Sequence, residues 1–170
     1  MDHAFHYMGM RSEQYITELS DAISMHVTLE VCPLDPPRRM EIIDFLQQEW
    51  ERGDMDWLLC MRGAYNDTLY TDVAMGKVGE EVVGTATVSR PVRDPEICVV
   101  ENVMTCPAYR GRGIAAYLTD RLVQRAFEAG CRVAYLGNAP NPRPVYERIG
   151  FTRIGGAIMR CAAPGQEEVE

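Results

Sequence analysis

No run of about eighteen apolar residues occurs in the chain of 170 residues, so no segment reads as a membrane-spanning helix. Cysteine pairs at metal-ligand spacing are missing as well. Cys32, Cys60, Cys98, Cys106, Cys131 and Cys161 are scattered, with no C-x-x-C and no partnering histidine run. That pattern argues against structural zinc and, in a reducing compartment, against a disulfide framework; the six read as small buried hydrophobes. Histidine is scarce, and His3 and His6 sit on a terminus expected to fray, so no metal is expected. Lysine is nearly absent: Lys77 is the one exception among 17 basic residues. The start Met1-Asp2-His3-Ala4-Phe5-His6 lacks the basic-then-apolar plan of a secretion signal, which makes the cytoplasm the expected location. No internal repeat is visible. What is present, 46% hydrophobic and 25% charged residues, fits one globular domain able to bury a core without staples.

The net charge of −8 is unevenly spread. Residues 1–106 carry 8 basic and 19 acidic side chains, a net of −11, whereas residues 107–160 carry 9 basic and 3 acidic, a net of +6. The last ten residues add three Glu. An anion held by the C-terminal half and a cationic partner near the N-terminal half fit this split; nucleic acid and membrane do not.

Hydrophobic period divides the chain into an arm over residues 1–24, a domain over 25–160 and an acidic tail over 161–170. In the arm, Ile16, Leu19, Ala22 and Ile23 predict one short amphipathic helix, read as a lid, a homodimer strap or packing. Val27 to Val31 reads as a first strand. Asp35-Pro36-Pro37 starts a helix running to Trp50 with Met40, Ile43 and Leu46 on its apolar side, and a second short helix is expected over residues 55–61. From Leu69 the period changes to two: strands to Val78 and from Glu81 to Ser89 join at Gly79-Glu80, and Ile97 to Thr105 is a buried strand. A helix with an Ile114, Leu118, Leu122, Ala126, Ala129 stripe ends at Gly130. Val133 to Leu136 is a short strand, Asn141 to Gly150 a helix, and Phe151 to Arg160 a last strand. The fold class is α/β, a mixed sheet with helices on its faces.

The chemistry concentrates between the buried strand and the helix, in Pro107-Ala108-Tyr109-Arg110-Gly111-Arg112-Gly113-Ile114-Ala115-Ala116. Unpaired N–H groups at a helix start form an anion site, glycines let a phosphate approach the backbone, and Arg110 and Arg112 add charge. Gly111-x-Gly113-x-x-Ala116 also fits a dinucleotide fingerprint, the mark of an oxidoreductase. That fingerprint requires an acidic residue at the end of the next strand, where the chain has Leu136-Gly137-Asn138.

Arg110-x-x-Gly113-x-Ala115 resembles the Q/R-x-x-G-x-G/A signature of the GNAT superfamily of acyl-CoA N-acyltransferases. Upstream, Glu101 to Pro107 resembles that family's fourth strand, and Val145-Tyr146-Glu147-Arg148-Ile149-Gly150-Phe151 resembles its helix-to-strand element. The resemblance is strong over residues 97–155 and weaker back to Val27. It implies a mostly antiparallel sheet with parallel fourth and fifth strands that splay to admit acetyl-CoA, and transfer of an acetyl group to a primary amine of a small molecule or peptide. A non-catalytic acyl-CoA-binding module is the alternative from another class.

By the same resemblance, Val103 and Thr105 would pair with pantetheine and the Met104 amide would polarise the thioester carbonyl. The backbone at Gly111, Arg112, Gly113, Ile114 and Ala115, with Arg110, would hold the diphosphate. The asparagine that commonly precedes the family's tyrosine is Ala139 here, with Asn138 and Asn141 on either side, and either one is the candidate for pantetheine. Glu101, an acid in an apolar strand, is the candidate base, since an amine of pKa about 10.4 is neutral in only about one part in a few thousand at pH 7. Tyr146 resembles the residue that protonates the departing thiolate; hydrogen-bond donation and full transfer both remain open. Trp50, Trp57, Tyr65 and Tyr70 are candidate lining of an acceptor pocket.

Overall fold

In a computed structural model, residues 2–15, 27–33, 68–138 and 145–160 are described, together with helical residues 37, 40–42, 44 and 45. Seven strands form one sheet: β1 (Asp2–Arg11), β2 (Thr28–Pro33), β3 (Thr68–Val78), β4 (Glu81–Pro91), β5 (Ile97–Thr105), β6 (Val133–Asn138) and β7 (Thr152–Arg160). Their order is β2-β3-β4-β5-β6-β1-β7. Every neighbouring pair is antiparallel except β5 and β6, which run parallel over Ile97↔Val133 to Val100↔Leu136. One helix, α1 (Ile114–Glu128), crosses one face.

The alternation of side chains explains both layers. Ala74, Val88, Cys98, Val100, Ala134, Leu136, Met8 and Met10 point to the α1 face and pack against Ile114, Leu118, Leu122 and Ala126, the stripe expected from the sequence. Ala129 lies beyond it and is exposed, and Gly130 closes the helix at φ 97. On the other face Val73 and Met75 meet Ile42 and Phe45. The sequence reading placed Met40, Ile43 and Leu46 on that inner side; Met40 is 44% exposed, Ile43 and Leu46 lie outside the described residues, and the described residues buried there are Ile42 and Phe45.

The N-terminal segment differs most from expectation. Asp2–Arg11, read as part of an arm, is a strand inserted between β6 and β7, so the parallel pair expected as fourth and fifth strands is fifth and sixth in chain order. Tyr15 then ties this segment to α1: its hydroxyl donates to Asp120 Oδ1 at 2.7 Å, and its ring meets Phe127 edge-on. The arm helix through Ile16 to Ile23, the helix over 55–61, Trp50, Trp57, Tyr65, Asn141 and the tail lie outside the described residues. Of the helix expected from Asn141 to Gly150, the described part is a turn at residues 145 and 146 followed by one 3-10 turn, Glu147–Ile149. Pro140, Pro142 and Pro144 precede it, and prolines bring no amide to a helical ladder.

Candidate active site

The site begins with a defect in β5. Asn102 adopts φ 53, the one positive φ outside glycine among the described residues. Thr87 pairs with Glu101 and Thr85 with Met104, so Asn102 and Val103 together oppose Ala86 in a β-bulge. Two buried threonines absorb the carbonyls this turns out of the ladder: Thr87 Oγ1 donates to Glu101 O and Thr85 Oγ1 to Asn102 O, both at 3.1 Å. Asn102 Nδ2 donates to Thr87 Oγ1 at 3.0 Å. Asparagine suits this corner because it tolerates left-handed backbone.

Beyond the bulge the sheet opens. The β5–β6 ladder stops at Val100↔Leu136, while Glu101–Thr105 stays paired with β4 and the end of β6 stays paired with β1. Val103, Met104 and Thr105 therefore line a gap between parallel strands. Val103 faces the α1 core and Met104 the opposite cluster. Asn138 ends β6, its backbone paired with His6.

At the mouth of the gap the chain turns through Pro107–Tyr109 into α1. Gly111 and Gly113 sit at φ 79 and 81, and Gly113 is the N-cap, with no side-chain cap on the first-turn amides. A cleft of about 550 Å³ opens over them, lined by Thr105, Arg110, Gly111, Gly113, Ile114, Ala115, Val145 and Arg148, among others. Arg110 Nε donates to Thr105 O at 3.0 Å, and the Arg112 guanidinium lies 5.2 Å from the Tyr109 ring centre. The buried Thr105 hydroxyl has no partner among the described residues. Uncapped amides, left-handed glycines, exposed arginines and an orphaned hydroxyl on one cleft fit a diphosphate with a polar arm. Arg148 was not singled out from the sequence; the signal for it was its place in the Tyr146-to-Phe151 element of the basic half.

Glu101 and Tyr146 stand on opposite faces. Glu101 lies on the face away from α1, exposed and without an ion pair among the described residues. Protein packed around its carboxyl raises its pKa by desolvation, and the Ser89 hydroxyl, hydrogen-bonded to it, opposes the rise. Tyr146 packs against the α1-face core, with its ring edge-on to Phe151 at 6.2 Å, and burial pushes its pKa up to about 12.

The sequence model of the acetyltransferase (GNAT) family matches residues 37–151. The chain belongs to this family. A probable glucosamine 6-phosphate N-acetyltransferase from Oryza sativa subsp. japonica is 41% identical over 56 residues, 33% of this chain and 34% of that protein. A GCN5-related N-acetyltransferase from Sphaerobacter thermophilus shares the fold with TM-score 0.70 at 14% identity, over 92% of this chain and 50% of that one. An AAC(6')-Iy structure in complex with the bisubstrate analogue CoA-S-monomethyl-acetylneamine matches with TM-score 0.50 at 14% identity, over 71% and 85%. The chain thus spans about a third of its curated relative and half of the Sphaerobacter protein. GNAT proteins use acetyl-CoA, and the resident geometry accords with that donor.

Proposed function

We propose that this GNAT protein transfers an acetyl, or another short acyl, group from CoA to a primary amine of a small molecule or peptide. One observation carries the reading: the gap beyond Val100↔Leu136 connects the uncapped start of α1 on one face with the Glu101 carboxyl on the other. Acetyl-CoA supplies an electrophilic thioester. The amides from Arg112 to Ala115 bind its diphosphate, with Arg110 and Arg148 neutralising charge, and the open edge at Val103 and Thr105 pairs with the pantetheine arm. The Met104 amide, expected on the acyl oxygen, points to β4 like that of Cys106, which donates to Val83 O; the amides that face the gap are those of Val103 and Thr105, and one of them hydrogen-bonds the acyl oxygen.

Glu101 takes the proton from the ammonium of the acceptor, directly or through a water. Its raised pKa makes it a better base than an ordinary surface carboxylate. For Tyr146 the magnitudes decide between two roles. A phenol with its pKa pushed up to about 12 would give a proton to a thiolate whose acid has pKa about 8.5 at a cost of about 5 kcal/mol. Tyr146 therefore donates a hydrogen bond to the leaving sulfur and keeps its proton; as the N–C bond forms and the C–S bond breaks, the second proton of the attacking nitrogen passes to the departing sulfur, which leaves as the CoA thiol.

Calorimetric titration with CoA, followed by thiol release over polyamines, aminoglycosides, amino acids and peptide N-termini, tests the assignment. Tight CoA binding with acceptor-dependent thiol release is expected. CoA binding without release from any amine would leave a binding module.

A further inference from the structure

The face that carries Glu101 has a second feature, contributed by the inserted strand. Val99 is in register with Tyr135, Glu101 follows Val99 by two residues, and Gly137 follows Tyr135 by two and pairs with Tyr7. Period two places Glu101, Tyr135 and Tyr7 on one face, opposite the residues buried under α1. The Tyr7 and Tyr135 rings stack with centres 5.7 Å apart and planes 20° apart. Gly137, opposite Tyr7, is exposed and adds no side chain beside the pair. Both tyrosines are half-buried, and neither hydroxyl has a hydrogen-bond partner among the described residues. Glu101 is diagonal to Tyr135 across β5 and β6, one residue past the last pair, Val100↔Leu136.

We propose that Tyr7 and Tyr135 are specificity residues that read the acceptor, binding an amine flanked by hydroxyl groups, an amino sugar or amino polyol, whose nitrogen faces Glu101. This rests on the acetyl-transfer reading above and adds the class of acceptor. The chemistry follows from what the pair offers. Each ring turns one face to the other, which leaves two phenol oxygens, each able to donate and accept, and a carboxylate at the inner end. Hydroxyls beside an ammonium satisfy all three; an alkyl chain would leave the phenols unpaired, which is penalised once water is displaced. Burial and the neighbouring Tyr7 raise the Tyr135 pKa, so its hydroxyl stays a neutral donor across the assay range.

The test compares serinol with isopropylamine and glucosamine with cyclohexylamine in thiol release by the full chain, for the wild type, Tyr7→Phe, Tyr135→Phe and the double variant. Melting temperature and CoA affinity are measured in parallel. The wild type should prefer the hydroxylated member of each pair by at least ~10-fold in kcat/KM. Each Phe variant should raise KM for that member by ~5- to 10-fold with kcat nearly unchanged, and should leave the alkylamines, the melting temperature and CoA binding unmoved. Equal use of alkyl and hydroxylated amines by the wild type would overturn the proposal, as would Phe variants that act alike on all four. Absence of thiol release from every amine while CoA still binds would instead overturn the acetyl-transfer reading on which it stands.

Discussion

Glu101 is the residue whose chemistry is most exposed to test. With its pKa raised above the ordinary 4.5, its carboxylate is lost on acidification at a higher pH than an ordinary glutamate's, so kcat/KM should fall on the acid side with an apparent pKa above that value. Glu101→Gln should lower kcat by ~10²- to 10³-fold, flatten that acid limb and leave CoA affinity intact. Tyr146→Phe removes a hydrogen bond and no proton carrier, so the expected loss in kcat is only ~10-fold, read in the same assay. Both residues were singled out from the sequence, Glu101 as a charge in an apolar strand and Tyr146 by its resemblance to a motif. Their placement on opposite faces was not, because it follows from where the β5–β6 ladder stops.

At the scale of elements, the bulge in β5 and the turn before β7 hold the site open. Asn102→Gly should preserve the left-handed corner, whereas Asn102→Val should cost about 2 kcal/mol or more in urea unfolding, since a β-branched residue resists positive φ. Gly150, at φ 110, belongs to the same class: a Cβ there would run into the Gln14 carbonyl. The motif glycine thus serves to seat the N-terminal segment against the Tyr146 turn. Asp120 gives a prediction of stability against pH. It is buried, accepts from Tyr15, and has its pKa raised, chiefly by desolvation. A carboxyl that titrates higher in the folded than in the unfolded chain stabilises fully below its unfolded pKa, and this contribution is lost as pH rises through the folded value. Asp120→Asn keeps an acceptor for Tyr15, so its stability relative to wild type should grow as the pH rises above the ordinary aspartate range of about 4, measured by denaturant midpoints. The helix stripe, the hairpin and the glycine turn were readable because period and turn chemistry are local. The Asn102 bulge was not, since it is fixed by Thr85 and Thr87 on another strand.

At the scale of the molecule, the charge division has a structural counterpart. The basic half supplies α1, the arginine-bearing turn and Arg148 on the cleft, and the acidic half supplies the strand bearing Glu101. The sheet order β2 to β6 follows from hairpins and a crossover, which the sequence displays. The strand β1 does not announce itself: Gly9 interrupts it, its large buried side chains among the described residues are Met8 and Met10, and its partners β6 and β7 lie more than a hundred residues away. Long-range pairing of this kind is carried by the partners' registry and not by the segment's own pattern.

The account depends most on the diphosphate lying against the first turn of α1, and an amide-resolved NMR titration with CoA tests that directly. The backbone signals of Gly111, Arg112, Gly113, Ile114 and Ala115 should shift together and saturate with one affinity, accompanied by those of Val103 and Thr105. A titration that perturbs other amides and leaves these in place would contradict it.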